Sequence, residues 1–449
     1  MALWRLLSLA LVAATHALPH NVQTKVTTAP VVPSKDSFYN VPTDLNNVQP
    51  GTILKHRLPP APIAAFREDP VQIEASHQIL YRTTDSLGRA TATVLTVLVP
   101  YNADFSKVLS YQVAEDAACV DCAPSYVFQL HSETGPNDGT STTQLEVLLI
   151  EAALEQGWVV IVPDHEGPTG AFLANRLGGQ ATLDGIRAAL QSGSLTGISK
   201  TPTITMWGYS GGSFVTGWAA ELQPSYAPEL HISGAAVGGT VPNITSIAMT
   251  VNNGSYVGLV PSGMLGMASQ FPDFAAVIKR NVKPEFSDEI YQVLKQCAGA
   301  NSAVFGNRDV LGMFEQGFIS DPVTVKTLYE NSLGHTTPRI PLYWYKSTQD
   351  QISVIKDSDD LVAQYCHDGA TIEYVRDIWS DHGSLAVLGA FRALGWLKNI
   401  MDGTKPAVGC SKSTVLTSLL DLDTVEFLPK FIIDALLDLL GKHVGPLFG

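Results

Sequence analysis

The chain divides into short unbroken apolar runs and longer stretches in which apolar residues recur every third or fourth position. Unbroken runs of strand length suit strands buried on both faces, and the longer period suits helices that cover them. An alternation from Ile73 to Tyr81, a turn at Asp85-Ser86-Leu87-Gly88 and a β-branched run from Ala92 to Val99 predict a hairpin at the start of a sheet. Further strands are predicted at Val108 to Gln112, Gly157 to Pro163, Thr203 to Trp207, Leu230 to Val237, Ile340 to Lys346 and Thr371 to Val375. Between them, helices are predicted over Leu145 to Gln156, Thr182 to Gln191, Ser213 to Leu222, Asp357 to Tyr365 and Ser384 to Lys398. Strands alternating with helices predict an α/β fold, a mostly parallel, doubly wound sheet with helices on both faces.

The alternation stops between Val241 and Arg339, where about 100 residues hold no convincing buried strand. A strand–helix–strand crossover needs only a short connection. Residues 243–338 are therefore read as an inserted helical cap that splits the core into 71–242 and 339–410. The cap includes the apolar segment Tyr256 to Phe274, with Met264 and Met267, and an amphipathic helix over Asp288 to Cys297. The apolar segment suits either the lining of a channel or ordinary packing against the core. Residues 18–70 are Pro-rich, as in Leu58-Pro59-Pro60-Ala61-Pro62, and are either an extended arm laid on the body or a disordered pro-segment. In the tail, 411–449, the apolar stretch Phe427 to Leu440 carries Asp434 and Asp438. It fits an oil–water boundary, a cover over a site, or simple docking on the body.

The 449 residues carry a net charge of −14 with 16% charged positions, which argues against disorder and disfavours nucleic acid and strongly anionic membranes as partners. A neutral ester surface stays open. Met1 to Ala17 reads as a secretory signal: Arg5, the apolar run Leu6 to Ala14, then Thr15-His16-Ala17 as a cleavage site. That run is too short for a transmembrane span, and no other stretch reaches about 18 unbroken apolar residues. The expectation is an extracellular protein, in which disulfides are stable. Cys119, Cys122, Cys297, Cys366 and Cys410 leave at least one cysteine unpaired. Asn243-Ile244-Thr245 and Asn253-Gly254-Ser255 are glycosylation sequons on a eukaryotic secretory route.

The candidate chemistry centres on Gly208-Tyr209-Ser210-Gly211-Gly212, between a predicted strand and a predicted helix. This order is that of a nucleophile elbow, a strained turn that exposes a serine hydroxyl. A serine needs a base, and the base an orienting acid. In a doubly wound hydrolase sheet these follow in the order serine, acid, histidine, each just past a strand's carboxyl end. After Ile340 to Lys346 the first carboxylate is Asp350, and after Thr371 to Val375 the first histidine is His382. Asp357, Asp359 and Asp360 are rivals for the acid that suit the first turn of a helix. His335 and His367 are rivals for the base, but one precedes a strand and the other follows a helix. An oxyanion needs two donors: the N–H of Gly211, and one from the loop after an early strand, where the backbone N–H of Asp116 falls. His165 between Asp164 and Glu166 is read as a structural loop, since one histidine between two acids makes a thin metal site.

The chain resembles the fungal secretory lipases, the Candida antarctica lipase A type. The matching stretches are Glu115-Asp116-Ala117, Asp121 to Tyr126, Asp164-His165-Glu166-Gly167, Leu183 to Arg187 and the elbow itself. They continue with Ser225 to Leu230, Gly238-Gly239-Thr240 and Phe391 to Cys410, which includes Asp402-Gly403-Thr404. The resemblance implies an α/β-hydrolase fold with a helical cap before the acid strand and a C-terminal flap. It carries nucleophile, acid and base onto Ser210, Asp350 and His382, and oxyanion donors onto Asp116 and Gly211. It also implies pairing of Cys122 with Cys297 and of Cys366 with Cys410, leaving Cys119 without a counterpart. The implied activity is hydrolysis of carboxylic esters, most of all acylglycerols, by a monomer without metal or organic cofactor. A serine hydrolase of other bonds, an acyltransferase, or a catalytically dead binding protein are the competing readings.

Overall fold

The computed structural model describes residues 29–67, 69–132, 140–418 and 442–446. The expected signal at Met1 to Ala17 and the stretch Phe427 to Leu440 lie outside the described residues. One sheet contains, in chain order, β1 Ile53–Arg57, β2 Ala75–Thr84, β3 Ala90–Val99, β4 Asp104–Gln112, β5 Trp158–Pro163, β6 Thr203–Tyr209, β7 Ile232–Gly238, β8 Leu342–Ser347, β9 Ile372–Asp377 and β10 Cys410–Val415. In space the order is β1-β2-β3-β5-β4-β6-β7-β8-β9-β10. From β5 to β10 every neighbouring pair is parallel, and β1 to β3 attach antiparallel at one end.

The central strands are apolar because both of their faces are covered: every residue of β5 is buried, as are all of β6 but Thr203. On one face, helices Asn175–Gln191 and Gly211–Tyr226 press Leu183, Ile186, Phe214 and Trp218 onto Val159, Ile161 and Met206. On the other, Val147–Leu154 and Ala390–Met401 pack Leu149, Ile150, Leu394 and Leu397 against Val160, Trp207 and Tyr343. Full burial of an aliphatic side chain contributes about 1.5–3 kcal/mol, so this double core dominates the fold's stability.

Three local differences from the sequence pattern have physical causes. The helix expected over Thr182 to Gln191 begins at Asn175. Its first turns contain Gly178 and Gly179, poor helix formers, and a Cβ on Gly179 would lie 3.0 Å from the backbone of Ala219. Glycine is thus the condition for close packing of two helices. The single helix expected over Asp288 to Cys297 is a short α-helix, Ser287–Tyr291, followed by a 3₁₀ turn, Gln292–Lys295. Ile290 and Val293, both buried, are three residues apart, a spacing the tighter turn aligns. Finally, β10 lies in a stretch read as the start of the tail, and β1 within the Pro-rich arm. Both are edge strands.

Between β7 and β8 the chain is helical and sits over the carboxyl edge of the sheet, with Ile244–Val251, Leu259–Ala268, Pro272–Asn281 and Pro322–Asn331 as its longer helices. Glu221, buried in the helix Gly211–Tyr226, accepts from the backbone N–H groups of Gly334, His335 and Thr336 as this segment returns. A disulfide between Cys122 and Cys297 ties the segment to the loop beyond β4, and one between Cys366 and Cys410 ties β10 to the helix Ile355–His367. Cys119 is free and buried beside the first of these. Among the described residues no helix is long and apolar enough to cross a membrane.

Candidate active site

Ser210 stands between β6 and the helix Gly211–Tyr226 with φ +52° and ψ −122°, a conformation that costs a non-glycine residue energy and persists only where the surroundings enforce it. Here they do. The Ser210 N–H donates to the Gly238 carbonyl at 2.8 Å, and its own carbonyl accepts from the Phe214 N–H at 3.0 Å. A Cβ on Gly212 would lie 1.9 Å from the Gln112 carbonyl oxygen, and one on Gly208 would lie 2.4 Å from the Gly212 backbone. The two glycines of the motif are therefore required by contact.

The parallel register brings the ends of β6, β8 and β9 to one edge. His382 Nε2 lies 2.8 Å from Ser210 Oγ, and His382 Nδ1 lies 2.7 Å from Asp350 Oδ2. An ionised carboxylate only accepts, so Nδ1 carries the proton and Nε2 is left to accept from the serine hydroxyl. Asp350 Oδ1 accepts from the N–H groups of Ile352 and Ser353. Burial raises the Asp350 pKa, but attraction and hydrogen bonds to His382 and Lys346 outweigh burial and hold its carboxyl well below the usual range. His382 is fixed through its main chain as well: its N–H donates to Gln351 Oε1 at 3.0 Å, and its carbonyl accepts from the Tyr209 hydroxyl. The loop before it is gathered by Asp377, whose carboxylate accepts from Trp379 N, Ser380 N and Ser418 N.

Asp116, with φ +53°, lies across from Gly211: a Cβ on Gly211 would meet Asp116 Oδ1 at 2.0 Å. Burial raises the Asp116 carboxyl to about 7. Behind it lie further buried acids. Burial raises Glu115 and Glu166 well above their ordinary values, and the Glu166 carboxyl approaches the N–H groups of Asp116 and Ala117. Burial likewise raises Asp164 to about 7, although Ser125 donates to it from both N and Oγ. His165 Nε2 donates to the Val113 carbonyl at 2.8 Å, and burial lowers its pKa to about 4. Asp164 and His165 thus satisfy separate structural partners.

Ser210, Gly211 and Asp116 open into an apolar cavity whose walls include Phe172, Leu173, Ile247, Leu259, Val260, Met264 and Met267. The rivals named from sequence lie elsewhere. Asp357 is in the first turn of Ile355–His367, Asp359 pairs with Lys412, Asp360 with Lys356, His367 with Asp368, and His335 Nε2 with the Tyr329 carbonyl. Sequence reasoning missed Lys346, a buried ammonium 2.7 Å from Asp350 Oδ2. Its signal was present: a lone lysine in an otherwise apolar strand, four residues before the candidate acid.

A largely parallel sheet, covered on both faces, with an elbow serine facing a histidine and an acid from later strand ends, is an α/β-hydrolase fold. Comparison narrows the class. The secretory lipase family model matches residues 132–409. "Lipase A" of Arthroderma benhamiae is 46% identical over 93% of this chain and 90% of its own length, and "Lipase 1" of Candida albicans is 36% identical over 92% and 90%. Among solved structures, Candida antarctica lipase A superposes with a TM-score of 0.81 at 27% identity, covering 94% of this chain and 99% of that one. The chain belongs to the secretory lipase family.

Proposed function

We propose that this protein is a secreted, serine-dependent hydrolase of carboxylic esters, most of all acylglycerols, with Ser210 as nucleophile, His382 as base and Asp350 as the acid that orients it. The observation that carries the reading is the single imidazole within hydrogen-bond reach of both Ser210 Oγ, at 2.8 Å, and Asp350 Oδ2, at 2.7 Å. In this scheme His382 Nε2 takes the hydroxyl proton as Ser210 attacks the ester carbonyl. The imidazolium, stabilised by Asp350, then protonates the departing alcohol, leaving an acyl-serine. Water, deprotonated by the same nitrogen, releases the fatty acid. Side chains and water suffice for every step.

Charge on the tetrahedral oxygen is met by the Gly211 N–H at the helix N-terminus and by Asp116. We read the Asp116 N–H as assisted by the Asp116 carboxyl, which stays protonated up to about 7 and can itself donate. The apolar cavity beside Ser210 suits the acyl chain, so a long aliphatic acid would exchange water for Leu259, Met264 and their neighbours. Family membership and two disulfides support an extracellular setting.

The test is a hydrolysis profile over emulsified triolein, dissolved nitrophenyl esters from short to long chain, and peptides, for wild type and Ser210→Ala. The reading requires turnover rising with acyl length and lost in Ser210→Ala with folding intact. Cleavage of peptides instead, or activity surviving in Ser210→Ala, would overturn it.

A further inference from the structure

Asp350 Oδ2, the atom that holds His382, has a second partner. Lys346 Nζ donates to it at 2.7 Å and to the Thr240 carbonyl oxygen at 2.9 Å. The side chains of Lys346 and Asp350 are both fully buried. Burying an ammonium is expensive, and an apolar residue in β8 would avoid the cost, so the charge demands a reason beyond packing.

The contacts supply one. From Lys346 one route runs through Asp350 and His382 to Ser210 Oγ. A second runs through Thr240 to Ser213 Oγ, which lies 3.2 Å from Thr240 Oγ1 and 2.8 Å from the Ser210 carbonyl oxygen. The ammonium closes a ring that joins the acid loop to the turn carrying the serine. Burial lowers the Lys346 pKa while attraction to Asp350 pulls it back up. Asp357 also faces Lys346, Tyr209 and Tyr256 face Asp350, and Asp381 faces His382; none of the four carries a positive charge.

We propose that Lys346 is the positioning residue of the site: it fixes the Asp350 carboxylate against both His382 and the Ser210 turn, and its charge competes with the imidazolium of His382 for the shared carboxylate oxygen. The inference rests on the roles assigned above to Ser210, His382 and Asp350. Lys346 and His382 share one oxygen at 2.7 Å each, so their charges are no more than roughly 5.5 Å apart and repel. Removing the ammonium leaves Asp350 free to stabilise the imidazolium more strongly, and the base then stays protonated to higher pH.

The test is kcat/KM against pH on a soluble ester for wild type, Lys346→Met and Lys346→Gln, with melting temperatures alongside. The acid limb should move up by on the order of one pH unit in both variants. Met should lower kcat about tenfold or more with KM little changed, and Gln, still a donor to Asp350 and Thr240, should recover part of it. An unmoved acid limb in a folded variant reduces Lys346 to a structural ion pair and overturns the proposal. If neither variant folds, the Lys346 Nζ nitrogen resonance of the wild type decides. It should shift across the pH range in which activity falls, and a resonance that stays put there overturns the proposal equally. Absence of hydrolysis in the wild type would instead overturn the reading of the site itself.

Discussion

Gly212→Ala tests how tightly the nucleophile turn is seated. The added Cβ would lie 1.9 Å from the carbonyl oxygen of Gln112 and 2.8 Å from its carbonyl carbon, against backbone that has no rotamer to escape into. Restoring ordinary contact requires the first turn of the helix Gly211–Tyr226 and the end of β4 to part by roughly 1.5 Å. One hydroxyl already bridges that junction: Thr216 Oγ1 lies 2.8 Å from Gln112 Oε1 and 2.8 Å from the Gly212 carbonyl oxygen, and its single proton is shared between the two acceptors. Overpacking of this kind costs about 1–3 kcal/mol, and a displacement of about 1 Å at the reacting group costs on the order of 10²-fold in rate. Gly217→Ala is the control on the same helix. Its Cβ meets only the tip of Leu333 at 3.1 Å, which can turn aside, and helix propensity gains up to about 1 kcal/mol. The assay is kcat on a soluble ester beside thermal unfolding. Gly212→Ala should lose both rate and stability while Gly217→Ala keeps both. Equal behaviour of the two would refute the argument that close backbone contact holds Ser210.

Asp350→Asn should lower kcat about 10⁴-fold, because an amide cannot hold His382 as the tautomer whose Nε2 accepts, and should also lower the melting temperature, because the buried Lys346 ammonium loses its counter-charge. Activity within tenfold of wild type would move the orienting role to a neighbour such as Asp357. The buried acids predict a pH dependence of stability. Asp116 and Asp164 rise from 3.8 to about 7 and Glu146 from 4.5 to about 8, all chiefly through burial, so the folded state holds protons that the unfolded chain releases. Their stabilising contribution is complete below about pH 4 and is lost as pH climbs through 7 to 8. His165, lowered from 6.5 to about 4, works in the opposite sense and only below 6.5. Stability should therefore fall by a few kcal/mol between about pH 6.5 and 8, and a flat or rising unfolding midpoint across that range would contradict it. Replacing Cys366 and Cys410 together by alanine should cost about 4 kcal/mol in denaturant unfolding, the loop-entropy value for a separation of 44 residues. An unchanged midpoint would show that the link contributes nothing to stability.

What the sequence revealed follows from what burial does to composition. Leu342–Ser347 and Ile372–Asp377 lie inside the parallel part of the sheet, so their apolar runs were plain, and Asp350 and His382 could be placed as the first acid and histidine beyond them. Cys410–Val415 was hidden because it pairs on one side only: Ser411, Lys412, Ser413 and Thr414 are exposed and carry no strand signature. The start of the helix at Asn175 was hidden by glycines that inter-helix contact demands. Lys346 was passed over because a single charged position does not disturb an apolar run, although burial makes it the costliest residue in β8. The acids around Asp116 come from separate segments, so only the folded chain shows that they share a desolvated pocket. The cysteine pairing was legible only through the family resemblance, since spacing alone permits several connectivities.

The central claim is that His382, held by Asp350, activates Ser210. Reaction with a fluorophosphonate followed by mapping of the labelled peptide tests it most directly, because only an activated serine reacts at a useful rate. The account predicts stoichiometric label on Ser210 in the wild type and loss of labelling in folded His382→Ala. Label on another residue, or an undiminished labelling rate at Ser210 without His382, would contradict it.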